Sequence, residues 1–120
     1  MTIINVHQWL GYAIFLVGVI VTIGSFVAAR REEPGALRGL AGSFAGLMHL
    51  QVLLGLAVWF GVFGVQGQRN ILHLIAAVLA AVIGQLAARQ LRSSESMHNA
   101  RWFHLGTLAL LVAAIGIASM

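Results

Sequence analysis

Cysteine is absent from this chain of 120 residues, which excludes disulfides, thiolate metal ligands and iron–sulfur clusters. Charge is scarce too. Only 8% of residues are charged and three are acidic, where a soluble domain carries about 25% charged residues. Proline occurs once, at Pro34, and Glu32-Glu33-Pro34-Gly35 reads as a helix stop followed by a turn. No connection is long enough to be a catalytic domain. No apolar run holds a carboxylate or a cation beyond its ends, which disfavours transport, since pumps and carriers use intramembrane carboxylates or broken helices.

What the chain does have is hydrocarbon. It is 60% hydrophobic, with a mean hydropathy of +0.94. Crossing a bilayer takes about 20 apolar residues at 1.5 Å each. Four stretches meet that length, roughly 6–29, 40–64, 71–89 and 101–119. The pattern predicts one all-α domain over 1–120, an integral membrane up-down four-helix bundle, because short connections force antiparallel neighbours. The first six residues hold no Lys or Arg, so no cleavable signal peptide is expected.

Seven arginines account for the pI of 11.6, and they read as topology rather than as a nucleic-acid surface. Arg30, Arg31 and Arg38 lie between runs one and two; Arg89, Arg92 and Arg101 lie between runs three and four; Arg69 alone lies in the second connection. The positive-inside rule puts loops one and three in the cytoplasm and both termini outside. The expected location is a bacterial inner membrane.

Each run contains one histidine: His7, His49, His73 and His104. An ionisable group in hydrocarbon marks a functional site by default, and neutral imidazole is a common metal ligand and an axial ligand of haem iron. The topology puts His7 and His73 at similar depth near the outer face. His49 lies about 15 Å in from the inner face, and His104 near that face, one to two turns away in height. Residues three, four and seven apart share a helix face. Gly11 and Gly18 therefore lie under His7, and Ala77, Ala80 and Gly84 under His73, as strips on which a flat macrocycle could rest. Arg69, one turn before His73, could pair with a propionate. His7 and His73 are the expected ligand pair, with His49 and His104 as a second, weaker pair, so the count is one haem b or two.

Other features read more plainly. Small residues at four-residue spacing also let membrane helices approach closely, as in Gly42-x-x-x-Gly46. His98 reads as a solvated loop residue, Met48 as packing, and Trp9, Tyr12, Trp59 and Trp102 as an interfacial belt.

The stretch His49-Leu50-Gln51-Val52-Leu53-Leu54-Gly55-Leu56, leading to Ile71-Leu72-His73-Leu74, resembles a helix pair of the haem A synthase family. There a Q-V-L-L-G helix precedes one opening with a haem-ligating L-H-L. Val6-His7-Gln8-Trp9-Leu10-Gly11-Tyr12 is similar to that family's other ligand segment, H-R-x-x-G. The resemblance covers about half of the chain and implies a b-type haem held by His7 and His73. It also has limits. The family duplicates the four-helix unit, and its catalytic Glu has no counterpart, because Ile4 stands three residues before His7 and Gln8 replaces the Arg.

The expected function is electron transfer by a membrane b-type cytochrome with bis-histidine ligation, an electron carrier with no catalytic carboxylate in the membrane, either alone or as a subunit of a larger redox complex. Its partners would be membrane lipid and a redox partner such as a quinone or another cytochrome, within a larger membrane complex or a homo-oligomer, with no nucleic acid. Two alternatives remain open: a (bacterio)chlorophyll-binding subunit, and a cofactor-free accessory or assembly subunit.

Overall fold

The computed structural model describes residues 2–33, 35–61, 70–92 and 96–118. It has four α-helices: α1 (Ile3–Arg31), α2 (Leu37–Trp59), α3 (Ile71–Gln90) and α4 (Met97–Ala118). All four are long and apolar enough to cross a membrane. They form a rod of 48 × 22 × 18 Å, its length set by the 29 residues of α1. Each helix packs against its two neighbours in the ring α1–α2–α3–α4, and among the described residues the diagonal pairs α1/α3 and α2/α4 meet only through side chains, such as His7 with His73 and Phe44 with His104.

Local chemistry sets the helix ends. The Thr2 hydroxyl accepts from the Asn5 N–H at 3.3 Å, and the Asn70 carboxamide oxygen accepts from the Leu72 and His73 N–H groups, satisfying donors that a helix start leaves unpaired. At the far end of α1, Glu32 turns left-handed at φ 59°, and Glu33 N–H bonds the Ala28 carbonyl. The stop read at Glu32–Gly35 is therefore real, although Pro34 lies outside the described residues. The second run ends earlier than its apolar composition suggests. Helix α2 stops at Trp59, and Gly61 takes a φ of 65° that favours glycine; residues 62–64 lie outside the described part. Helix α4 starts earlier than expected, so His98 sits in its first turn, half-buried, and not in a loop.

The core is built from small residues, with the large ones outside. Ala41, Ala45, Ala80, Ala81, Ala87 and Ala100 are buried, together with a few large side chains such as Ile14, Val21, Phe44 and Met48. Leu16, Ile20, Ile23 and Val27 of α1 and Leu50 and Leu53 of α2 point outward. Small contact residues let the backbones approach closely. Core hydroxyls bond back to their own helices: Thr22 to the Gly18 carbonyl, Ser25 to Val21 and Thr107 to Phe103. Arg38 Nε donates to the Leu91 carbonyl at 2.7 Å, tying the start of α2 to the end of α3. Arg30, Arg31, Arg38, Arg89, Arg92 and Arg101 all fall at this one end of the rod.

Candidate functional site

At the opposite end the described residues leave a cavity in the core. Side chains from all four helices line a cavity of about 260 Å³, among them His7, Gln51, Gly55, His73, Ala77 and Ala114. His7 comes from α1 and His73 from α3, the diagonal pair, so the two imidazoles meet across the bundle axis. Their ring centres are 6.2 Å apart and their planes nearly perpendicular, at 88°.

The two rings are held differently. His73 Nδ1–H donates to the Ala114 carbonyl at 2.7 Å, which fixes the tautomer and leaves the Nε2 lone pair free. His7 lies against α2, its Cε1 only 3.1 Å from where a Cβ on Gly55 would sit. Any side chain at 55 would push the ring away. His7 Nδ1 is buried and has no hydrogen-bond partner. The Gln51 carboxamide donates through Nε2 to the His7 carbonyl at 2.6 Å.

The expected cofactor strip is only half open. Gly11 and Ala77 line the cavity; Gly18, Ala80 and Gly84 do not. The Phe44 ring would meet a Cβ on Gly18 at 3.1 Å, and the Met48 methyl lies directly against Gly84. Ala80 is fully buried in the same layer. These three positions serve helix packing, because α2 fills the space in front of them. Met48, Ile14 and Leu111 form the cavity floor. Arg69 lies outside the described residues.

The second pair is not assembled. His49 is exposed on the outer side of α2, its Nδ1–H donating to the Ala45 carbonyl of its own helix at 2.6 Å. Its neighbour Met48 takes the inward position, one residue and ~100° round the helix. His104 is fully buried and meets Ser25 Oγ at 2.6 Å through Nδ1. Height separates them as well. Gln51 abuts Gly11 while His104 bonds Ser25. Those levels on α1 are 14 residues apart, and His49 is two residues nearer, so about 18 Å separates the pair. Depth counted from the ends of the apolar runs gave one to two turns, because it took the two runs to begin at the same height.

Ser25 donates its own hydroxyl to the Val21 carbonyl at 2.9 Å, so the proton of its bond to His104 comes from the imidazole. His104 Nε2 is then a buried acceptor without a partner. No group of three or more His, Cys, Asp or Glu side chains gathers among the described residues; His7 and His73 are a pair.

Sequence reasoning missed Gln51 and Gly55 as site residues. A signal was available: Gln51 is the one carboxamide inside run two, and Gly55 follows it by four residues on the same helix face. Nothing local in the sequence foretells Ala114, whose contribution is a backbone carbonyl. No protein-family description matches this chain, nor does any curated protein or solved structure.

Proposed function

We propose that the protein is a membrane-embedded b-type cytochrome that relays electrons, with His7 and His73 as axial ligands of one haem b. The observation that carries this reading is the pairing of the two imidazoles across the bundle axis, 6.2 Å between ring centres, over a cavity lined by all four helices. Two imidazoles at this spacing, one from each of two helices, would hold a metal ion between their ring nitrogens. The walls also suit a flat group: Gly11, Gly55, Ala77, Ala114 and Ala118 present one methyl or none.

When bound, haem supplies one-electron chemistry at iron. The chain does the rest. His7 and His73 would hold the haem from two helices. The Ala114 carbonyl keeps His73 in the ligating tautomer, a support of the kind metal-bound histidines generally have. Ile14, Met48 and Leu111 close the cavity floor with apolar surface. The described arginines, all at the end opposite the cavity, support a site near the outer face of a bacterial inner membrane with both termini outside. The large apolar residues on the rod's surface support lipid as its surroundings. A quinone or another cytochrome, separate or within a larger membrane complex, would donate or accept the electron.

Purification in detergent after haem-replete expression tests this. A Soret band, sharp reduced α and β bands and one haem per chain by pyridine haemochrome are expected. His7→Ala or His73→Ala should give high-spin iron or an empty site. A colourless wild type, long-wavelength chlorin absorption, or a double variant that keeps a full low-spin spectrum would overturn the reading.

A further inference from the structure

Two glycines on facing helices make room for each other's polar neighbours. A Cβ on Gly11 would lie 3.1 Å from Gln51 Nε2, and a Cβ on Gly55 would lie 3.1 Å from His7 Cε1. The gap at Gly11 admits the α2 carboxamide to the α1 backbone, and the gap at Gly55, one turn beyond Gln51, admits the α1 imidazole to the α2 backbone. The result is a four-residue interlock of Gly11, Gln51, His7 and Gly55.

Inside that interlock two polar atoms are buried without hydrogen-bond partners: His7 Nδ1 and Gln51 Oε1. One is a ring nitrogen able to carry a proton; the other is an acceptor. Each is costly to leave unpaired. Gln51 Nε2 already bonds the His7 carbonyl at 2.6 Å, which brings the carboxamide beside the residue whose Nδ1 is unpaired. His73, by contrast, has its Nδ1 committed to a main-chain carbonyl. A histidine that ligates through Nε2 regularly donates its other N–H to such an acceptor.

We propose that Gln51 is the positioning residue of His7. Its Nε2 grips the α1 backbone, and its Oε1 takes the His7 Nδ1–H, so that Nε2 of the imidazole is the free ligand atom. The ligating role of His7 rests on the function proposed above; the clamp itself is a property of the protein with or without haem. Because one ligand is tuned by a backbone carbonyl and the other by a side chain, the tuning can be changed at residue 51 without touching a ligand.

The test compares wild type, Gln51→Leu and Gln51→Glu, purified in detergent, by haem retention, redox titration and ring ¹⁵N spectra of histidine-labelled protein, with the His7 signal assigned from His7→Phe. If wild type binds haem, Gln51→Leu should weaken its retention about 10–100-fold. It should also raise the midpoint potential, because an imidazole without its acceptor is less basic and stabilises ferric iron less. Gln51→Glu should keep the haem and lower the potential. Opposite shifts separate a positioning role from mere packing, and if the leucine variant does not fold, the direction of the glutamate shift decides. Haem bound with equal retention and potential in every variant overturns the clamp and leaves the cytochrome reading intact. A wild type without haem ends the cytochrome reading, and the ¹⁵N spectra then judge the clamp alone. An Nδ1-protonated His7 that loses its tautomer preference in Gln51→Leu supports it. A His7 that is not Nδ1-protonated, or is unchanged by the substitution, overturns it.

Discussion

Replacing His104 by leucine should cost this protein little, although His104 is fully buried and bonded to a neighbouring helix. The imidazole brings one favourable bond, Nδ1–H to Ser25 Oγ at 2.6 Å, and one liability, the unpartnered Nε2. Losing a buried hydrogen bond costs about 0.5–1.5 kcal/mol, and relieving an unpaired buried polar atom returns about 1–3 kcal/mol. Ser25 keeps its own bond to the Val21 carbonyl, so it is not stranded. Leucine has about the volume of imidazole and leaves no large void. The balance runs from about 0.5 kcal/mol less stable to about 2.5 kcal/mol more stable. His104→Ala is the control, because truncation adds a cavity and should cost about 2–5 kcal/mol. Reversible unfolding in mixed detergent and dodecyl sulfate, followed by circular dichroism, measures both. Haem content should be unchanged in the leucine variant. A loss of more than about 3 kcal/mol there, or half the haem gone, would refute the reasoning, since either would mean that Nε2 has a partner.

Two further substitutions separate glycines that this fold uses from one it leaves open. At Gly46 an added Cβ meets nothing within 4 Å, so Gly46→Ala should gain up to about 1 kcal/mol of helix stability and leave the cavity site intact. Gly55→Ala meets the His7 ring, and overpacking of about 1–3 kcal/mol should cancel that gain and loosen haem; equal behaviour of the two variants in unfolding and haem retention would count against the His7 placement. Topology is open to labelling: single cysteines at Gly35 and Asn70 should react with an impermeant reagent from opposite sides of the membrane, Asn70 from outside, and labelling of both from one side would exclude the up-down arrangement.

The fold was legible because membrane helices announce themselves by length and composition, and here four runs contain almost every apolar residue. The ligand candidates were legible for a related reason: four imidazoles in hydrocarbon are conspicuous. What periodicity could not supply was which side of each helix faces inward. Residues 48 and 49 show the difficulty. Both sit mid-run, one apolar and one polar, and the bundle buries the methionine and exposes the histidine. In a water-soluble helix the polar residue would mark the outside, but in a run that is apolar all round the contrast disappears. The lower strip was ambiguous for another reason. Small residues at the right spacing accommodate either a macrocycle or a neighbouring side chain, and only the bulk of Phe44 and Met48 on a third helix decides between them. Gln51 was visible as a residue, yet its role depends on a glycine of α1, which no local pattern connects to it.

The division of the rod into a filled half and a hollow half also bears on how such a protein is made. Ile14, Val21, Phe44, Met48, Ala80 and Ala100 join in one continuous core below the cavity floor, and the arginine end is stitched by Arg38 and Ser96 to carbonyls at the end of α3. Of these residues only Ile14 and Met48 border the cavity, as its floor. The four helices can therefore assemble as a bundle before anything enters the cavity. On the function proposed above, haem loading then becomes a late event at a preformed cavity, and the chain without haem is already a structured species.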